Sequence, residues 1–517
     1  MKLRTASLAL AGAVALAACS DVDSPTSPAG DVRANVAAAS QASDRHFVFF
    51  KNQNKVPADF AKRVAALGGT VVSSHPVAGA AIVSGLSESS SARLAASNDV
   101  QSVEQDFAFR LDLKAVNAEI TLDDLLASAD VSATVTPAVN TAHYGKRQWN
   151  YPAIGADLVW GAKMQGSSSI KVAILDTGID YTFPDLTTLV DHARSASFIP
   201  GDVAIGNALF GGVDYLGQPL KPYMDLQGHG THVASTVASR GVYVAGMTKE
   251  TRLMAVKVLG ANGGSAGSSV FQGFLYAIEQ GADVINMSLG GTFLRAGGGG
   301  IGIVNRLMAI AKQAGVTVVV AAGNDGTDLQ HNASAYNAYC DAPHVICVSA
   351  TGPVESGATG AINDPTKWTG PFSNVDVPAI YTTYGKGAIS VAAPGGNYAL
   401  TEKGALKSAG WVWQACSKRS LNYNADPAFT GPELARYSKN VCSANPTFHL
   451  PNGFVGTSQA APHVAGLAAM LVLELGRNPV AIRHRIEQTA DDLAGTPNNS
   501  YYGRGRVNAA RALGVIN

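Results

Sequence analysis

The sequence predicts an α/β protein, a doubly wound, mostly parallel sheet preceded by a small α+β unit of ferredoxin-like type. Three observations predict it. Short apolar runs at 170–175, 252–258, 282–287, 316–320 and 344–349 have the length and near-continuous hydrophobicity of strands buried on both faces. Helix-period stretches at 270–280 and 303–314 fall between them, and this alternation builds a parallel sheet covered by helices. Upstream, 46–110 follows the different order βαββαβ, that of a split βαβ sandwich. Glycine supplies 55 of 517 residues, above the usual ~7%, which suits many tight turns rather than a helical bundle.

Charge narrows the functions. The chain has 38 Lys+Arg against 38 Asp+Glu, with 15% charged and 46% hydrophobic residues. A nucleic-acid binder needs a cationic excess to neutralise phosphates, and a disordered chain combines low hydrophobicity with high net charge. Neither description fits. At roughly 100–200 residues per domain the length allows about two to four domains.

Met1, Lys2, Leu3 and Arg4 form a short positive start, and 6–18 is apolar or small throughout but too short to span a bilayer. Residues 1–18 therefore read as a signal peptide. Leu16-Ala17-Ala18-Cys19 resembles a bacterial lipoprotein box, which implies cleavage before Cys19 and its lipidation; ordinary cleavage with free secretion is the alternative. Either way the expected location is extracytoplasmic, secreted or anchored to the bacterial cell envelope, with a membrane surface touched through the lipid alone. Residues 19–45, rich in Ala, Ser, Asp and Pro without apolar periodicity, read as a flexible tether.

The unit 46–110 opens with a strand at 46–50, a helical stretch at 58–67 and a strand at 70–73, followed by strand, helix and strand at 79–83, 89–96 and 100–104. Residues 111–145 carry no clear pattern and read as a linker, and 146–517 holds the alternating strands and helices. Beyond Cys19 the cysteines are Cys340, Cys347, Cys416 and Cys442. In an exported chain they suggest two disulfides, with three connectivities open. Pairing of nearest neighbours, Cys340 with Cys347 and Cys416 with Cys442, is favoured because each pair brackets a loop-like stretch; free buried thiols are the alternative. The absence of a Cys-x-x-Cys pair argues against structural zinc.

In an open parallel sheet, chemistry sits at the carboxyl ends of the strands. The run 170–175 leads into Asp176-Thr177-Gly178, Gly228-His229-Gly230-Thr231-His232 opens a helix, 316–320 leads into Ala321-Ala322-Gly323-Asn324, and Gly456-Thr457-Ser458 opens the helix 459–475. A carboxylate, an imidazole, an amide and a hydroxyl are the set that acyl transfer requires. Serine needs a base to remove its proton, and the base needs a buried carboxylate to fix its tautomer. The oxyanion needs donors, for which Asn324 and the backbone N–H of Ser458 are candidates. Taken singly, an Asp after a strand forms turns, a Gly-x-Ser is a loop and a helical His packs. The four motifs in order carry the inference. His232, three residues after His229, reads as a packed helix residue rather than half of a metal pair, and Asp180 and Asp185 as turn caps.

With these residues in place the chain resembles the subtilisin-like serine proteases, the subtilase family. The likeness rests on Asp176-Thr177-Gly178-Ile179-Asp180, on His229-Gly230-Thr231-His232-Val233-Ala234, on Ala321-Ala322-Gly323-Asn324, and on the run from Gly456-Thr457-Ser458 to Gly466. Asp before His before Ser is the family's chain order. The resemblance covers about 46–517. It implies a triad of Asp176, His229 and Ser458, an oxyanion hole from Asn324 and Ser458, and a substrate cleft lined by Ser288, Leu289, Gly290, Ala321, Ala322 and Gly323. It further implies that 288–290 offers an edge to an extended peptide, and that uncharged walls including 263–267 favour apolar or broad cleavage. Residues 46–110 resemble the family's inhibitory, folding-assisting propeptide, with self-cleavage in or beside 111–145. The expected partners are polypeptide substrates and the chain's own propeptide, in a monomer.

The chain also departs from the pattern. Gln459 stands where the family usually has Met, which spares the site one oxidation. The segment 239–243 is too short for the family's calcium loop, and Ser390 replaces a common Asp, so calcium is possible but its ligands are not identifiable. No cofactor is required and no metal ligands are assigned. An insertion at about 397–451 carries six basic and three acidic residues. The expectation is a secreted or lipid-anchored serine endopeptidase made as a zymogen. The alternatives are a peptide cyclase or transpeptidase on the same triad, with the insertion shielding the acyl-enzyme from water, and a non-catalytic surface binding protein.

Overall fold

The computed structural model describes residues 44–111, 134–135, 141–295, 300–332, 334–353, 355–356, 372–397, 399–400, 406–407, 410–425, 429–445, 449–493 and 498–517. The signal peptide, Cys19 and nearly all of the tether lie outside them. The first apolar run forms β1 (Arg45–Phe50), followed by α1 (Phe60–Ala66), β2 (Thr70–His75), β3 (Ala80–Ser84), α2 (Glu88–Ala95) and β4 (Val100–Gln105). The four strands pair antiparallel in the order β2-β3-β1-β4, the ferredoxin-like arrangement expected from the sequence. Alternation along β1 gives the unit two apolar faces. Val48 and Phe50 pack with Phe60 and Val64 in its own core, whereas Phe47 and Phe49 join a core cluster of the main unit. After β4 the chain forms β5 (Ala108–Arg110).

In the main unit come β6 (Lys171–Asp176), β7 (Ala196–Ser197), α3 (Gly201–Phe210), α4 (His229–Val237), β8 (Arg252–Lys257), β9 (Gly264–Ala266), α5 (Gly267–Glu279), β10 (Val284–Met287), α6 (Ile301–Gln313), β11 (Thr317–Ala321), β12 (Val345–Thr351) and β13 (Val391–Pro394). The large sheet runs β13-β12-β11-β10-β6-β8-β7, parallel throughout. Alternate residues of each strand serve opposite cores: Val172, Ile174, Leu253, Ala255 and Val319 on one side, Ala173, Leu175, Met254, Val256 and Val318 on the other. That two-sided burial is why the strands read as continuous apolar runs. The chain builds outward from β6 to β8 and β7 and then returns to start β10 on the other side. The crevice at the carboxyl ends of β6 and β10 is therefore the topological switch point.

Some elements escaped the sequence reading. β13 ends in Pro394, which reads as a loop signal but is tolerated at the end of an edge strand. The packed main unit also begins earlier than 146. Ala142 and Tyr144 are buried in its core, and the N–H groups of His143 and Tyr144 donate to the carbonyls of Val242 and Tyr243 at 2.9 and 2.8 Å. In the insertion, β14 (Val412–Ala415) pairs with β17 (Pro451–Phe454), the strand that follows directly on the insertion, and β15 (Leu421–Tyr423) pairs with β16 (Tyr437–Lys439). Both disulfides join nearest neighbours, Cys340 to Cys347 and Cys416 to Cys442, with Cα separations of 5.1 and 6.0 Å.

Candidate active site

Asp176 is the last residue of β6 and His229 the first of α4. The imidazole Nδ1 donates to Asp176 Oδ1 at 2.8 Å and lies 3.0 Å from Oδ2, with both side chains essentially excluded from solvent. Burial works to lower the His229 pKa, but the Asp176 charge and hydrogen bond, with a smaller push from Asp225, outweigh it and leave the pKa raised. Nδ1 therefore carries its proton toward the carboxylate, and Nε2 is the basic nitrogen.

Ser458 is the second residue of α7 (Thr457–Leu475) and is 8% exposed. N–H groups in a first helical turn lack intrahelical acceptors, so the Ser458 N–H is a donor beside its own hydroxyl. Ser288, just past β10, brackets this residue: its Oγ donates to the Ser458 carbonyl at 2.8 Å, and its own carbonyl accepts from Ser458 Oγ at 3.1 Å. The hydroxyl's hydrogen bond thus goes to Ser288 rather than to the imidazole. Asn324, just past β11, accepts through Oδ1 from Thr457 N at 2.8 Å and Thr457 Oγ1 at 2.9 Å. That fixes its amide orientation and leaves Nδ2 with no hydrogen-bond partner among the described residues. Gly456, at φ 154°, allows this approach, because a Cβ there would lie 2.8 Å from Gln459 Oε1 and 3.5 Å from Asn324 Nδ2.

Leu289, Ala321 and Ala322 are buried, while Gly290 and Gly323 are half-buried. β5 lies antiparallel on β9, and the Leu111 N–H donates to the Gly263 carbonyl at 2.9 Å. Residues 108–111 of the N-terminal unit thus occupy an edge of the main unit within 263–267.

His232 is buried, and its pKa is pushed down to about 3 by that burial; its Nε2 donates to the Val412 carbonyl at 3.0 Å and its ring lies 4.8 Å from that of Phe454. It packs the insertion against α4. Asp180 accepts from Thr182 and from the Lys418 N–H, and Asp185 from the N–H groups of Tyr243 and Val244, so both carboxylates hold loops. Among the described residues no group of three or more His, Cys, Asp or Glu side chains is arranged to hold a metal ion.

The sequence reading missed Asp225. Wholly buried, it accepts from Thr177 Oγ1, from the N–H groups of Gln227, Gly228 and Thr231, and from Thr231 Oγ1, at 2.6–2.9 Å. Its position four residues before the helix-opening His229 was the available signal, since acidic residues just ahead of a helix cap free N–H groups. The insertion lies on the same turn: Ser417 Oγ donates to the Asp225 carbonyl at 2.7 Å and the Leu421 N–H to Leu226 at 2.9 Å.

Comparison with known proteins shows the family and the fold. The model of the Subtilase family matches residues 167–505. The chain is 30% identical over 385 residues to the thermophilic serine proteinase of Bacillus sp. (strain AK1), covering 74% of this chain and 70% of that one. It is 29% identical over 377 residues to thermitase of Thermoactinomyces vulgaris, covering 72% and 98%. In fold it is similar to the epidermin leader peptide processing serine protease of Staphylococcus aureus, with a TM-score of 0.62 at 19% identity over 92% of this chain and 98% of the other. It is likewise similar to fervidolysin of Fervidobacterium pennivorans, with a TM-score of 0.59 at 21% identity over 92% and 61%.

Proposed function

The chain belongs to the subtilase family and is a serine endopeptidase, and from that premise we propose that Asp176, His229 and Ser458 are its triad and that it matures by cutting its own N-terminal unit away. The observation that carries the triad is the buried Asp176–His229 bond on a helix packed against the helix whose first turn holds Ser458 to Ser288 and Thr457 to Asn324. In the reaction Ser458 Oγ leaves the Ser288 carbonyl and attacks the peptide carbonyl carbon while its proton passes to His229 Nε2. The oxyanion accepts from Asn324 Nδ2 and the Ser458 N–H, and the N-terminal end of the α7 dipole favours the same negative charge. Collapse breaks the C–N bond, with the Nε2 proton going to the leaving amine. Water then repeats the cycle and frees the acid. Asp176 stabilises the imidazolium throughout without taking the proton.

The N-terminal unit acts as an inhibitory propeptide on this reading, supported by β5 lying on β9 as an extended substrate would. The scissile bond lies beyond Leu111, in or beside 111–145. Export follows from the pattern of 1–18, with lipidation at Cys19 as the anchored form. Expressing wild type beside Ser458→Ala tests the reading. Wild type should shorten to a mature form and cleave casein, while the variant stays full length and inert. Equal processing of both would overturn self-cleavage, and an inactive wild type would overturn the assignment.

A further inference from the structure

Lys257, the last residue of β8, is the register partner of Asp176 in the parallel ladder and is 0% exposed. A lysine at the end of an apolar strand normally reaches solvent; this one does not. Its Nζ donates to the carbonyl of Thr177, the residue after Asp176, and lies 2.8 Å from Asp202 Oδ2. Asp202 comes from the first turn of α3 and is itself buried. Its other oxygen accepts from the Ala261 N–H at 3.2 Å. Ala261 belongs to the turn that leads into β9, closed by bonds from the Gly260 N–H to the Gly264 carbonyl (2.8 Å) and from Gly263 to Gly260 (2.9 Å). The Val258 and Leu259 N–H groups both donate to the Asp176 carbonyl, at 2.9 and 3.1 Å.

We propose that Lys257 and Asp202 are a positioning pair that ties the edge on which an extended peptide lies to the backbone that carries Asp176. The proposal rests on the triad reading above. A buried ammonium is tolerated when it is paired and hydrogen-bonded, and such a pair is rigid because leaving either partner alone in the interior is costly. Here the two ends of the device are distinct: Asp202 holds the turn before β9, Lys257 holds Thr177, and their ion pair joins the two. A peptide seated along 263–266 bears on that turn, and the pair keeps the Thr177 carbonyl, and with it Asp176, in one place while it does so. A one-residue substrate never reaches the edge and has no such dependence on Asp202.

Kinetics of the matured enzyme on two substrates test this: a peptide amide with at least four residues on the acyl side, and a single-residue ester. Asp202→Asn should lower kcat for the extended peptide about tenfold with KM within about twofold, and leave the ester within about threefold. Lys257→Met, which also releases Thr177, should lower kcat for both. Because either single change leaves a buried group without its partner, the double variant Asp202→Asn/Lys257→Met keeps the test open. With no lone buried charge it should melt closer to wild type and still lose the tenfold on the extended peptide. Parallel losses on both substrates in Asp202→Asn, or no loss on the extended peptide in either Asp202→Asn or the double variant, would overturn the pair's role. Absence of any Ser458-dependent turnover by wild type would instead sink the reading on which it rests.

Discussion

Thr177 donates its hydroxyl to Asp225 Oδ1 at 2.9 Å and accepts from the Gly230 N–H at 2.8 Å. This one side chain therefore joins the strand that ends in Asp176 to the turn that delivers His229. Thr177→Val keeps the shape but strands the Gly230 N–H in a buried site, a loss of about 1–3 kcal/mol. We expect kcat to fall about tenfold with KM little changed, since the damage is to the Asp176–His229 approach. A variant with wild-type kcat would show that the bridge serves stability alone.

Acid should switch the enzyme off through His229. Its pKa is raised by Asp176 and Asp225 against the opposing pull of burial, and a general base must be neutral, so kcat/KM should fall as pH drops through a value above the ordinary ~6.5. A pH–rate profile with its acid midpoint clearly below that value would contradict the assignment.

Stability should respond to acid through different histidines. His232 and His463 are buried neutral, with pKa values pushed down to about 3 and about 4 by burial. Because the unfolded chain takes up protons near ~6.5 and the folded chain does not, the stability these groups contribute is complete above that pH and is lost as pH falls toward about 4. The melting temperature of Ser458→Ala should decline over that interval. His463→Gln, at a ring that meets Asn150 Nδ2 at 2.7 Å and the Gln459 carbonyl at 2.9 Å, should flatten part of the decline.

The Cys416–Cys442 bond closes a 26-residue separation, for which chain-entropy arguments give about 3–4 kcal/mol. Cys416 immediately precedes the residues that lie on the Asp225 turn. Replacing both cysteines by serine should lower stability to denaturant by roughly that amount, and activity should be lost at lower denaturant than global unfolding. Peptide mapping without reduction should recover two linkages; four alkylatable thiols would reject them.

The N-terminal unit packs Phe47 and Phe49 against Phe271, with ring centroids 5.4 and 6.4 Å apart. Phe47→Ala should cost about 3 kcal/mol and appear as earlier melting of the N-terminal unit in the unprocessed Ser458→Ala precursor. Unchanged melting would mean that β5 on β9 carries the docking.

Sequence by itself determined the layers, the strand ends and the four motifs, because a strand buried on both faces must be apolar throughout and because acyl transfer limits which residue types follow it. It also narrowed the cysteines to three pairings. Tertiary structure chose among those pairings. It revealed β13 behind an edge proline, and it placed the insertion, known from the sequence only by its surplus of basic residues, on the turn ahead of His229. Asp225 and Lys257 came from structure as well, for a physical reason. A buried charge is tolerated only when partners distant in sequence surround it, and for Lys257 and Asp202, 55 positions apart, no local pattern records that they meet.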